Sequence, residues 1–159
     1  MDRPVTIRPA KPHEMAVIAR LFREYAASLA VDLSYQHFEV EVAALPGPYT
    51  PPAGALLLAV SPNDEPLGCV ALRPLAEPGV CEMKRLYARP AARGTGISRA
   101  LAVAACQAAT DAGYQAMCLD TLPTMHTAQA LYRRLGFEVT PPYYDTPVIG
   151  TIFMRKTLP

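Results

Sequence analysis

The sequence has no tryptophan, four cysteines and three lysines beside twelve arginines. No apolar run is long enough to span a bilayer, the longest clear one being GALLLAV at 54–60, which argues against a membrane partner. The opening MDRPVTIRPAKP lacks the apolar core of a signal peptide, so a cytoplasmic location is expected. The net charge is +1 and no run of Lys or Arg exceeds two residues. Without a basic stripe, a nucleic-acid partner is not expected. Cys69, Cys81, Cys106 and Cys118 form no CxxC pair, and no histidine near them completes a zinc spacing, so no metal site is expected. They read instead as small buried hydrophobes of a reducing compartment.

What is present is a folding composition: 51% apolar residues and 18% charged ones in 159 residues. That length fits one domain, 1–159, with a core large enough to need no staples. A short strand is predicted at 5–10, followed by a helix opened by Pro12 and striped by Met15, Ile18, Leu21, Phe22, Tyr25 and Leu29. A second short helix is predicted from Ser34 to Leu45, and the Pro- and Gly-rich stretch 46–54 reads as a loop. Strands at 55–60, 67–75 and 79–88 are joined by connections too short for parallel crossovers, so they are antiparallel neighbours. A helix follows to Ala112, with Ile97, Leu101, Ala104, Ala105 and Ala108 on one face. It lets the next strand, 114–121, lie parallel to 79–88. A last helix, Met125–Leu135, with Ala128, Leu131 and Leu135 on its apolar side, precedes the strand FEVT, a PPYYDTP loop and a final strand at 149–158. The pattern is α/β.

The stretch RPAARGTGISRAL, 89–101, is the one most charged with chemistry. Pro90 takes the chain out of the sheet, and Gly94 and Gly96 permit the positive φ that turns successive N–H groups toward one point. The helix that begins there adds its own unpaired N–H groups and the positive end of its dipole, and Arg93 and Arg99 add full charges. These are the parts of a diphosphate-sized anion site, although glycine-rich turns before helices are common without any ligand. The stretch is neither a Walker A loop nor a dinucleotide fingerprint, for it lacks Gly-Lys-Ser/Thr and GxGxxG.

Strand exit, R-x-x-G-x-(G/A), then a long helix resembles the acyl-coenzyme-A loop of the GNAT superfamily of N-acetyltransferases. The matching residues are Arg93, Gly94, Thr95, Gly96, Ile97 and Ser98, with Ser98 standing where Gly or Ala is usual. CEMKRLYARP resembles the family's fourth strand and AQALYRRLGFE, 128–138, its A-x-x-L-Y-x-x-x-G-F signature, so the likeness runs from Val5 to Leu158. It implies a mixed, mostly antiparallel sheet whose fourth and fifth strands splay, flanked by helices. It also implies an acyl-CoA-dependent enzyme that moves an acetyl group from acetyl-CoA to a small-molecule or peptide amine, in a chain that can form a homodimer. The alternative is an acyl-CoA sensor that kept the cradle and lost the chemistry.

By the same resemblance the backbone of Leu86, Tyr87 and Ala88 pairs with the pantetheine arm, and the N–H groups of residues 94 to 99 receive the pyrophosphate. Tyr132 falls where the family often has a tyrosine near the cofactor sulfur; a phenol there can protonate a departing thiolate, or simply fill the core. Met125 stands where an asparagine is frequent, leaving His126 or Thr127 to replace it. Glu82 falls where several members keep a general base. Four residues before Leu86 on an extended strand, it should share that residue's face; the other reading is a structural partner for Lys84 or Arg73. Tyr25, Tyr35, His37, Asp120, Tyr143 and Tyr144 are the expected lining of the acceptor pocket.

Overall fold

Three hairpin-linked strands form the centre of the molecule, because short polar turns separate runs of Leu, Val and Ala that must bury both faces. The computed structural model describes residues 5–159 and places these strands in one seven-stranded sheet. The strands are β1 (Thr6–Pro9), β2 (Ala55–Val60), β3 (Pro66–Pro74), β4 (Val80–Ala88), β5 (Ala116–Thr121), β6 (Glu138–Val139) and β7 (Ile152–Thr157). Their spatial order is β1-β2-β3-β4-β5-β7-β6. Every pairing is antiparallel except β4 with β5, which are joined through a helix and run parallel.

Among the described residues four α-helices cover the sheet: α1 (Met15–Ser28), α2 (Phe38–Ala43), α3 (Ile97–Asp111) and α4 (His126–Arg134). Ile97, Leu101 and Ala105 of α3 and Tyr132 of α4 pack on one face against Leu57, Val70, Met83 and Met117. Ile18, Leu21 and Phe22 of α1 and Phe38 and Val42 of α2 pack on the other against Leu56, Leu58, Cys69 and Ala71. The alternating β2 and β3 residues thus divide between two half-cores, as strands buried on both sides require. Cys69, Cys81 and Cys118 are buried free thiols inside this packing.

Three expectations need correction. The helix predicted from Ser34 to Leu45 is broken at His37, which takes φ +56 between a 3-10 turn, Leu33–Gln36, and α2. Five residues apart on one helix, Leu33 and Phe38 would point well away from each other, and the break lets both enter the core. The buried face of α3 is Ile97, Leu101, Ala102, Ala105 and Ala109, turned slightly from the predicted stripe. A helix so rich in alanine has no unique apolar edge, and the sheet selects one. The last strand starts at Ile152, because Ile149 and Gly150 turn in solvent before it.

A fourth difference matters for the site. Cys69 pairs with Tyr87 but Ala71 with Lys84, so β4 holds one extra residue against β3. Arg85, at φ +60, is the bulge. It reverses the strand's alternation: Glu82, Lys84, Arg85 and Tyr87 face α1 and α2, while Met83, Leu86 and Ala88 face α3 and α4. Glu82 and Leu86 therefore lie on opposite faces, contrary to the count of four.

Candidate active site

β4 and β5 pair only from Val80 to Glu82 against Ala116 to Cys118. Beyond that they part, since β5 keeps its full length on β7 while the Arg85 bulge bends and twists β4 away. The parting opens a cleft through the sheet. Lys84 and Leu86 of β4, Asp120 of β5, Tyr25 of α1, Gln36 of the 3-10 turn and Tyr132 of α4 stand on its walls. Past Glu82, the backbone of β4 has no strand partner on the β5 side among the described residues.

At the end of β4 the chain is fastened before it turns. Arg89 forms an ion pair with Glu24 of α1 at 2.7 Å and donates its backbone N–H to Leu67 at 2.9 Å. A 3-10 turn, Pro90–Ala92, leads to Gly94 at φ +79 and Gly96 at φ +84. The Thr95 hydroxyl donates to the Ala92 carbonyl and pins the loop, and Arg93 reaches back to the Ala88 carbonyl at 3.3 Å. The first helical hydrogen bond of α3 runs from Ala100 to Gly96, so the N–H groups of residues 94 to 99 have no acceptor among the described residues. A Cβ on Gly94 or Gly96 would meet no atom within 4 Å among the described residues beyond its chain neighbours. The loop is an open nest of unpaired donors at the N-terminus of a 15-residue helix. Ile97 is buried and offers this nest only its N–H, Ser98 is half-buried, and Arg93 and Arg99 are exposed.

On the α2 side of the cleft lies a network of polar side chains. Arg85 Nε and Nη2 donate to the two oxygens of Glu41 at 2.9 and 3.0 Å, and Nη1 donates to Gln36 Oε1 at 2.9 Å. Lys84 Nζ donates to the same Gln36 oxygen at 3.2 Å. The Gln36 amide donates to Tyr35 Oη at 3.2 Å and Tyr144 Oη at 3.3 Å, and Tyr144 donates to Asp120. Burial works against the Arg85 charge, but the hydrogen bonds and charge of Glu41 more than offset it and leave the guanidinium more basic than usual. Burial lowers the pKa of Lys84, with Glu82 opposing that shift in part. Burial pushes the Tyr25 hydroxyl up to about 12, and it raises Tyr132 as well.

The residues singled out in the sequence divide into two groups. Tyr25, Tyr35, Leu86, Asp120 and Tyr132 all line the cleft, as does Met125. Tyr132 packs edge-on to Phe137 at 5.9 Å, and its hydroxyl has no hydrogen-bond partner among the described residues. Glu82, Tyr143 and Tyr144 stand behind the wall. Glu82 is fully buried; Arg73 Nε donates to one of its oxygens at 2.7 Å and the Tyr143 hydroxyl to the other. The rings of Tyr143 and Tyr144 pack edge-on against Phe153, which holds the loop after β6 on the sheet. Their hydroxyls are directed at carboxylates and their rings at one another, so the pair is a support for Asp120 and Glu82. Tyr87 turns toward α1, where it donates to Glu24 at 3.2 Å. His37, His126 and Thr127 are exposed and outside the cleft.

Gln36, Lys84 and Arg85 were missed. Two adjacent cations, with Glu82, inside the mostly apolar strand VCEMKRLYA were the available signal for the last two, because buried charges need partners. Gln36 had none, since a single glutamine in a polar turn looks like surface.

The chain matches the model of the Acetyltransferase (GNAT) family over residues 18–137. It is 39% identical over 144 residues to an uncharacterized N-acetyltransferase of Schizosaccharomyces pombe, covering 91% of this chain and 88% of that one. Among solved structures, an acetyltransferase of the GNAT family from Staphylococcus aureus superposes with a TM-score of 0.78 at 15% identity, covering 98% of this chain and all of the other. A GNAT superfamily phosphinothricin acetyltransferase from Sinorhizobium meliloti, in complex with acetyl-CoA, gives 0.76 at 20% identity, over 98% of this chain and 89% of that one.

Proposed function

Since the chain belongs to the GNAT family of acetyltransferases, we propose that it moves the acetyl group of acetyl-CoA directly to a primary amine bound in the same cleft. The observation that carries this reading is the continuity of the donor nest, the unpaired edge of β4 and the cleft wall bearing Tyr132 and Asp120. Six neighbouring unpaired N–H groups, with no side-chain atom over the two glycines, fit a diphosphate. The solved relative that holds acetyl-CoA supports the same choice of donor.

The N–H groups of Gly94 to Arg99, with Arg93 and Arg99, would hold the pyrophosphate. The backbone of Leu86, Tyr87 and Ala88 would hold the pantetheine arm. Acetyl-CoA supplies the acyl group already activated as a thioester. Tyr132 keeps its proton at neutral pH, and in this reading its free hydroxyl on the cleft wall gives that proton to the departing thiolate. An alkylammonium, of pKa about 10, must lose a proton before its nitrogen attacks. Asp120 is the carboxylate on the cleft wall, and its Oδ2 is oriented by Tyr144, so we assign it the acceptance of that proton. Glu82, locked between Arg73 and Tyr143 away from the lining, supports Lys84 and Tyr143 in this reading rather than serving as the base.

Free-thiol release from acetyl-CoA with a panel of amines tests the proposal. Amine-dependent release is the expected result. Tight acetyl-CoA binding with no turnover on any amine would replace the enzyme with an acyl-CoA sensor.

A further inference from the structure

Two opposite charges face the cleft, and among the described residues neither has an oppositely charged partner to itself. Lys84 has a side chain only 6% exposed, yet its ammonium donates one hydrogen bond, to the neutral amide oxygen of Gln36. The nearest carboxylate oxygen, Glu82 Oε1 at 3.9 Å, already accepts from Arg73 at 2.7 Å. Arg85, beside it, is neutralised by Glu41 through two hydrogen bonds. Asp120, on the facing strand, accepts from the Tyr144 hydroxyl and has no Lys or Arg nitrogen within 4 Å among the described residues. Lys84 and Asp120 feel each other's charge but form no ion pair.

A buried ammonium with one neutral acceptor and, 3.9 Å away, only a carboxylate shared with Arg73 is poorly compensated, and an incoming anion would supply what it lacks. An incoming ammonium would do the same for Asp120. We propose that the acceptor is a small amine that also bears a carboxylate, an amino-acid-like molecule whose carboxylate binds Lys84 and whose amine lies toward Asp120. A diamine or polyamine fits poorly, because its second cation would be driven against Lys84 and Arg85. An amine with no second charge leaves Lys84 as it is. This inference rests on the transferase reading given above and narrows its acceptor.

The test compares each common amino acid with its carboxamide in the thiol-release assay, on the full chain and on Lys84→Met. Methionine matches the lysine stem in bulk, and its introduction leaves Gln36 Oε1 bonded to Arg85 and Glu82 bonded to Arg73 and Tyr143, so the fold should hold. For the best amino acid, kcat/KM should exceed that of its carboxamide at least tenfold. Lys84→Met should erase that ratio, mainly by raising KM for the acid. Carboxamides or diamines used as well as the acids would overturn the inference while leaving the transferase in place. An equal slowing of acid and amide by Lys84→Met would overturn it too. Should Lys84→Met fail to fold, the acid-to-amide ratio of the unaltered protein decides alone. No thiol release with any amine, despite acetyl-CoA binding, removes the transferase reading and this inference with it.

Discussion

Arg85 and Glu41 meet through two parallel hydrogen bonds of 2.9 and 3.0 Å, with the arginine side chain 2% exposed. The pair ties the bulge of β4 to α2, and the guanidinium also stands 5.3 Å over the Phe38 ring. It thereby fixes how Lys84 and Leu86 are presented to the cleft.

Glu41→Ala should leave a buried guanidinium with Gln36 alone for company. The expected loss is about 3–5 kcal/mol of folding stability, read from urea unfolding of the variant against the parent. A change no larger than that of a surface substitution would mean that water or another group compensates Arg85.

Gly96 sits at φ +84, where a side chain brings strain of roughly 1–2 kcal/mol. Gly96→Val should fold, with native circular dichroism, but lose acetyl-CoA affinity at least tenfold by calorimetry, because its side chain would stand over the donor nest. Unchanged affinity in the folded variant would remove the loop as the pyrophosphate site.

Tyr132→Phe keeps the contact with Phe137 and removes only the hydroxyl. Turnover should fall by roughly 10²-fold while the affinity for acetyl-CoA stays within a factor of two or so. An equal rate would leave Tyr132 as packing alone.

Asp120→Asn should lower kcat by roughly 10²-fold near neutral pH and recover part of it as pH rises and more acceptor is already deprotonated. A loss independent of pH would point to positioning instead of proton transfer.

Glu14 binds Arg8 through hydrogen bonds of 2.7 and 2.9 Å, and that arginine holds its carboxyl down at about 2. The folded value is depressed, so the pair stabilises the protein above the ordinary carboxylate range and the gain fades as pH falls toward 2. Glu14→Gln should therefore melt below the parent at pH 7, with the two converging at the acid end. Parallel Tm curves across that range would deny the pair its role.

The antiparallel β2-β3-β4 run, the parallel placing of β5 beside β4 and the glycine turn before α3 were legible in the chain itself. Each rests on local chemistry: short turns force hairpins, glycines permit positive φ, and a helix start leaves its N–H groups unpaired whatever lies around it. Tertiary structure decided the rest. The bulge at Arg85 is made by an arginine, not a glycine, and exists because Glu41, Gln36 and Phe38 arrive from far along the chain to hold that side chain on one face. That single inserted residue turned Glu82 away from Leu86's face. With Arg73 and Tyr143 taking its oxygens, Asp120 was left as the carboxylate of the cleft and Lys84 as its cation. Strand parity can be counted only while alternation is unbroken, and long-range partners decide whether it breaks.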